Sequence, residues 1–287
     1  DELAKYGLEY CNTDAPTAAV LPDGRHFVLR RDRKANIAAM DALAAGDGQR
    51  YQLAMSELEG ELDLTFTLLG TELWNLATAK TFAKATWKRG LPAMADYFGR
   101  GMQSARAWLE TDFHAEETRA CFAAWPLHAG LSPDDAASGQ MGKLICFTLE
   151  AAGCPVVRGG AVKLVEAFRA LIEAHGGELH TGVDVAGITV ENGRAGGVTD
   201  AAGTHWAARE AVLASVTPSQ LYNRLLDEQH VPETVLQQAR QFRHGKADMQ
   251  IHIAMAEPPR WRDPALAPVA MVHLTPGLDG VSKAVNQ

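Results

Sequence analysis

The stretch from Cys154 to Leu179, CPVVRGGAVKLVEAFRALIEAHGGEL, constrains the fold more than any other part of the chain. It reads as a short β-prone run, a glycine pair, one amphipathic helix, a second glycine pair and a further strand. Ala161, Leu164, Val165, Phe168, Leu171 and Ile172 recur at offsets of three and four and make one apolar stripe, while Lys163, Glu166, Arg169 and Glu173 face elsewhere. Gly176-Gly177 stops that helix. Glycine serves where φ must be positive or where backbone comes close to another group. Gly159-Gly160, placed directly before a helix, therefore reads either as an ordinary strand-to-helix turn or as a ligand-facing one.

The neighbouring segments extend this pattern. ELHT (178–181) reads as a strand, a three-stranded meander with turns at Asn192-Gly193 and Ala201-Ala202-Gly203 follows, and AVLAS (211–215) is a fully apolar strand. This order predicts a parallel sheet with helices on one face and a meander on the other, and such sheets carry ligands at the carboxyl ends of their strands. The twin glycines would lie near that edge, with a βαβ crossover behind them.

Before residue 154 the texture is helical. A hairpin is expected in AAVLPDGRHFVLRR around Pro22-Asp23-Gly24. Helices then run from about Lys34 to Ala124, broken near Gly46-Asp47-Gly48, Gly90-Leu91-Pro92 and Trp125-Pro126. Ser132-Pro133-Asp134-Asp135 reads as a helix start, with a capping hydroxyl, proline at the first position and two acids at the positive end of the dipole. After Ser215, Thr217-Pro218 and Pro232 open two further helices. The tail reads as strands, DMQIHIAMA and VAMVHL, joined by a proline-rich loop.

Composition narrows the function classes. With 27 Lys+Arg against 35 Asp+Glu the net charge is -8, which argues against non-specific attraction to nucleic acid or to an anionic membrane surface as the main activity. The four cysteines, Cys11, Cys121, Cys146 and Cys154, form no CxxC pair, so reduced thiols in a cytoplasmic protein are expected, with no metal site. Ten histidines include no HExxH, and neither GxSxG nor GxxxxGK[ST] occurs. His252 reads as an ordinary imidazole on an alternating strand. Trp74, Trp87, Trp108, Trp125, Phe66, Phe82 and Phe98 either pack between helices or line an apolar substrate cavity.

The block PVVRGGAVKLVEAFRALIEAHGGELHTGVDVAGITVENGRAGGV resembles the centre of the phytoene desaturase-like FAD-dependent oxidoreductases, most nearly the branch of the pyridine nucleotide-disulfide oxidoreductase domain 2 proteins. KYGLEY, VLPDGRHFVLRRD, AVLASVTPSQLYNRLL and VAMVHLTPGLDGVSKA fall in that family's order. The resemblance implies a mixed α+β and α/β fold. Residues 1–155 would form a helix-rich substrate domain, 156–215 a partial FAD-binding (ββα, Rossmann-like) lobe with the meander, and 216–287 the rest of the substrate domain. It further implies that Gly159 and Gly160 approach the flavin ring, that the main chain of Val185 reads the adenine edge, and that Ser215 lies close to the cofactor.

The family's GxGxxG and its closing glycine-rich stretch are absent from these residues. The resemblance therefore implies a central portion of such an enzyme, one that does not retain FAD by itself. No catalytic side chain is assigned, because the flavin takes the hydride. The implied partners are a hydrophobic small molecule and, for the whole enzyme, peripheral contact with a membrane. An exposed edge of the 178–181 and 211–214 sheet is expected either to pair with a second copy or to stay poorly ordered. Two rival readings stand beside this one: a non-enzymatic apolar-ligand or interaction module, and a flavin-dependent isomerase, saturase or amine oxidase.

Overall fold

A computed structural model of the chain describes residues 2–245 and 249–286. It divides into two compact units, Asp1–Val165 with Gln250–Gln287, and Glu166–Met249. In the first unit β1 (Tyr10–Cys11) precedes the expected hairpin of β2 (Thr17–Val20) and β3 (His26–Leu29), paired antiparallel from Thr17↔Leu29 to Val20↔His26. Gly24, at φ 91°, closes the turn, its N–H donating to the Leu21 carbonyl at 2.9 Å. Only a residue without Cβ takes that conformation at little cost.

Seven helices follow: α1 (Arg33–Leu43), α2 (Asp47–Gly70), α3 (Leu76–Arg89), α4 (Leu91–Gly101), α5 (Ala105–Asp112), α6 (Glu116–Ala123) and α7 (Ser138–Ala152). The breaks expected at Gly46, Gly90 and Trp125 all occur. Short polar side chains satisfy the free N–H groups at several starts. Asp32 accepts from Lys34 N at 2.9 Å, Asn75 from Thr78 N at 2.8 Å, and Ser104 from Ala107 N at 3.1 Å. One start differs from expectation. Ser132 to Asp135 closes on itself as a turn, Asp135 N donating to Ser132 O at 3.0 Å, and α7 begins only at Ser138. Asp134 is drawn instead to Arg106 Nε at 2.6 Å, so the two acids anchor the loop rather than begin a helix.

β4 (Val156–Val157) leads through the twin glycines into α8 (Val162–Ala174). The second unit then holds the meander: β5 (Val185–Glu191), β6 (Arg194–Asp200) and β7 (His205–Ala207), antiparallel in the order β5-β6-β7. Asn192 at φ 51° and Gly193 at φ 74° make the expected tight turn. α9 (Pro218–Gln220) continues into a π turn over Leu221–Leu225, and α10 (Glu233–Arg240) follows.

Two expected strands do not form. Residues 178–181 and 211–215 have no ladder partner, so the parallel sheet and its βαβ crossover are absent among the described residues. A strand is assigned only where backbone groups find a neighbour, and Leu213, inside the most apolar of these runs, is 97% exposed. The same holds for 249–255, including His252, which is irregular and exposed; Asp248 lies outside the described residues. The α8 stripe is also largely open to solvent, with Ala161, Val165, Phe168 and Ile172 exposed and Leu164 and Leu171 half-buried.

The chain returns to the first unit with β8 (Met271–Leu274), parallel to β2, and ends in α11 (Gly277–Asn286). β2 thus becomes the central strand of a β3-β2-β8 sheet, and both of its faces are covered. Ala19, Phe27 and Leu29 point into the main core, whereas Ala18 and Val28 join a second cluster with Leu266, the alternation a pleated strand imposes. At the centre of the main core Phe122 stacks on Trp108 and on Tyr51, each at 5.7 Å between ring centroids, with Phe113 edge-on to Trp108 at 5.6 Å. Each such side chain contributes about 1.5–3 kcal/mol through burial. Cys121 and Cys146 lie in this core, and burial alone pushes the Cys121 thiol up to about 12, so both are packed groups rather than nucleophiles.

His273 on β8 gives the core a pH dependence. Its Nδ1 is buried with no hydrogen-bond partner among the described residues, and its ring lies 4.8 Å from that of Trp125. Burial first, and then the nearby His128, hold its pKa below the ordinary 6.5. The unfolded chain therefore binds a proton that the folded chain does not, and stability falls as pH drops below about 6.5 until the folded value is passed. Urea midpoints at about pH 7.5 and 5.5 should show this loss, and His273→Phe should flatten it. An unchanged slope in the variant would remove His273 as the cause.

Candidate functional site

The twin-glycine turn is built from the strand that precedes it. Val157 and Val156 pair antiparallel with Tyr10 and Cys11, and Arg158 N donates to Glu9 O at 2.9 Å. Gly159 and Gly160 then take φ 81° and 91°, Gly160 N donates back to Val157 O at 3.2 Å, and Lys163 N donates to Gly160 O at 3.1 Å as α8 begins. A Cβ on Gly160 would meet nothing within 4 Å, and one on Gly159 would meet the flexible Lys163 side chain, Cγ at 3.4 Å and Cε at 3.7 Å. The glycines are thus required by backbone conformation and not by crowding, and the turn presents bare backbone to solvent. Its setting differs from the expected one, because the preceding strand is a two-residue antiparallel partner of β1.

Val185 and Ser215 lie in the second unit. Val185 opens β5, half-buried and paired with Asp200, on the edge strand of the meander. Ser215 is exposed in the irregular run before α9. The structure joins Gly159 and Gly160 in one turn and sets Val185 and Ser215 on separate elements.

The first unit also contains an apolar cavity of about 220 Å³. α2 supplies Leu68 and Leu69, α4 supplies Tyr97 and Phe98, and Met102 and Met141 complete the wall. Phe98 stands edge-on to Tyr97 at 5.3 Å and rests on Phe82 at 5.9 Å, while the Tyr97 hydroxyl and Thr65 Oγ1 share a hydrogen bond at 3.1 Å. Burial raises the Tyr97 phenol, which stays protonated. Of the aromatic residues singled out from sequence, Phe98 lines this cavity and Phe82 supports it. Trp108 and Trp125 belong to the main core; Trp74 and Trp87 are 93% and 94% exposed. The thioethers and leucines of the wall went unremarked in sequence, where a methionine at helical spacing has the same signature as any core position.

A larger polar cavity, about 630 Å³, borders a buried carboxylate. Glu150 accepts from Tyr51 Oη at 2.6 Å, Arg33 Nε at 2.6 Å and Asn36 Nδ2 at 3.0 Å, and is 4% exposed. Burial and the adjacent carboxylate push the Tyr51 phenol far above its usual range, so it stays a hydrogen-bond donor within this network. Among the described residues no group of three His, Cys, Asp or Glu side chains could hold a metal ion.

No family model matches the chain, and no curated protein matches it in sequence. Its fold is similar to that of an oxidoreductase from Methanosarcina mazei, with a TM-score of 0.51 and 14% identity over 83% of this chain and 49% of that one. A putrescine oxidase variant, from a redesign of cofactor binding, overlaps 83% of this chain and 48% of its own at 14% identity and a TM-score of 0.44. The first likeness is one of fold, and the chain spans about half the length of the solved structures it matches.

Proposed function

We propose that the chain is the substrate-side portion of an FAD-dependent oxidoreductase that removes hydride from a hydrophobic small molecule. The supporting observation is the fold likeness to an oxidoreductase across 83% of the chain but only 49% of the other protein. FAD, when bound, accepts the hydride, and the polypeptide's task is to position and desolvate the substrate. The positive-φ turn at Gly159 and Gly160 suits this role, since it has no side chain that would hold a flat ring away. Main-chain groups at Val185 would meet the adenine edge and Ser215 would lie beside the cofactor. The cavity walled by Leu68, Phe98 and Met141 would take an apolar part of the substrate. No side chain of this chain is assigned a proton or hydride transfer.

The sequence has no GxGxxG to seat a pyrophosphate at a helix start. Absorption spectra of the purified chain should accordingly show no stoichiometric flavin, whereas a polypeptide extended into the adjoining reading frame should carry it and be bleached by an apolar reductant. Stoichiometric flavin on the 287 residues alone would refute the division of the site. An extended polypeptide without flavin would refute the assignment itself and favour a cofactor-free binding module.

A further inference from the structure

The most exposed large apolar side chains of the first unit gather on and around α3. Trp74 and Trp87 are 93% and 94% exposed, Leu76 is 80%, and Leu91 is 74%. At 100° per residue, Leu76, Ala83 and Trp87 fall on one line of the helix, with Leu76 and Trp87 separated by about 16 Å along its axis. Beside this line runs a second, formed by Lys80, Lys84 and Lys88, all exposed and, among the described residues, in no ion pair. α3 contains no acid, although the whole chain carries a net charge of -8. Of the acids on the flanking helices, Glu61 and Asp96 pair with Arg100, and Glu61 also lies 4.0 Å from Arg89 at the end of α3, away from the lysine row. The opposite face of α3 is the packed one, with Thr78 buried and Phe82 and Ala85 set against Leu64, Met94 and Tyr97.

We propose that the outer face of α3 is a membrane-docking surface for a leaflet containing anionic lipid. A row of indole and leucine side chains beside a row of ammonium groups, joined by small alanines that let the helix lie close, is the pattern of a helix resting in the headgroup region. Indoles suit that depth because one end is apolar and the other donates a hydrogen bond. The lysines supply the attraction that the net charge of the chain does not. Among the described residues no helix is long and apolar enough to cross a membrane, so this contact runs along the surface. The proposal does not depend on flavin.

Sedimentation with phosphatidylcholine vesicles, with and without about 30% phosphatidylserine, tests it. Binding to the anionic vesicles should be at least about tenfold stronger and should weaken by a similar factor as salt rises from about 0.05 to 0.5 M. Trp74→Ser with Trp87→Ser, and separately Lys80→Gln, Lys84→Gln and Lys88→Gln together, should each reduce it about tenfold. These side chains are exposed, so unchanged circular dichroism would show that both variants remain folded. Failure to sediment with anionic vesicles, or equal sedimentation of wild type and variants, overturns the proposal. So does capture of polyglutamate without capture of vesicles, which would point to an acidic protein instead.

Discussion

Replacing Arg33 with methionine should lower the stability of the chain by about 3 kcal/mol, read as a fall in urea midpoint at unchanged m-value. Arg33 is the cation beside Glu150, with Nε at 2.6 Å from the carboxylate and Nη1 at 2.9 Å from Glu59. The Glu150 side chain is 5% exposed, so without Arg33 its charge would remain buried with only Tyr51 and Asn36 as donors. Removing one partner of a buried pair costs about 3–5 kcal/mol, far more than losing the pair as a unit. Two facts favour the lower end: the Arg33 side chain is itself 25% exposed, and the polar cavity reaches Glu150. Adding Glu150→Gln should recover part of the loss, because the neutral amide does not need the cation. A cost below about 1 kcal/mol, the level of a surface pair, would mean that water already solvates Glu150 from the cavity.

Trp108→Ala should be at least as damaging, at about 3–5 kcal/mol, whereas Trp87→Ala should change stability by no more than about 0.5 kcal/mol. The two tryptophans differ only in setting. Trp108 is 1% exposed, stacks on Phe122 at 5.7 Å and has the Lys143 ammonium 5.0 Å from its ring; Trp87 projects into solvent from α3. Truncating Trp108 opens a cavity between α5, α6 and α7 and leaves Lys143, whose pKa burial already lowers, without its aromatic neighbour. Trp108→Phe should cost less than Trp108→Ala, because it keeps most of the ring and removes an indole Nε1 that is buried with no acceptor among the described residues. Thermal unfolding of the three variants checks the order. A Trp87→Ala loss as large as that of Trp108→Ala would show that α3 is packed against something in solution.

Local signals in the sequence carried over well where the chain satisfies its own backbone. The Pro22-Asp23-Gly24 hairpin, the Asn192-Gly193 turn and the helix breaks at Gly46 and Gly90 all depend on residues within a few positions of one another, and all form. Strand formation at 178–181 and 211–215 depends on distant neighbours, and apolar composition alone could not supply them. The start expected at Ser132 failed for a related reason. Asp134 finds stronger partners in Arg106 and Ser282 than in the N–H groups of its own helix, a choice made by tertiary contacts.

Within the candidate site, the local pattern made only the turn geometry legible. Gly159 and Gly160 show the positive φ that their pairing suggested. The roles of Val185 and Ser215 came from resemblance, and the local pattern around them marks only a strand end and a loop. The apolar cavity was half visible, since Phe98 was among the aromatic candidates. Met102, Met141 and Leu69 are set beside it by the crossing of α2, α4 and α7, which no local spacing encodes.

The open stripe on α8 governs how the molecule behaves as a material. A row of valine, phenylalanine and isoleucine facing water offers another copy the same contact that a sheet would make. Concentrating the chain should therefore drive it toward clustering, and light scattering should rise with concentration well before any loss of helix content. Polar replacements at Val165 and Phe168 should keep it dispersed.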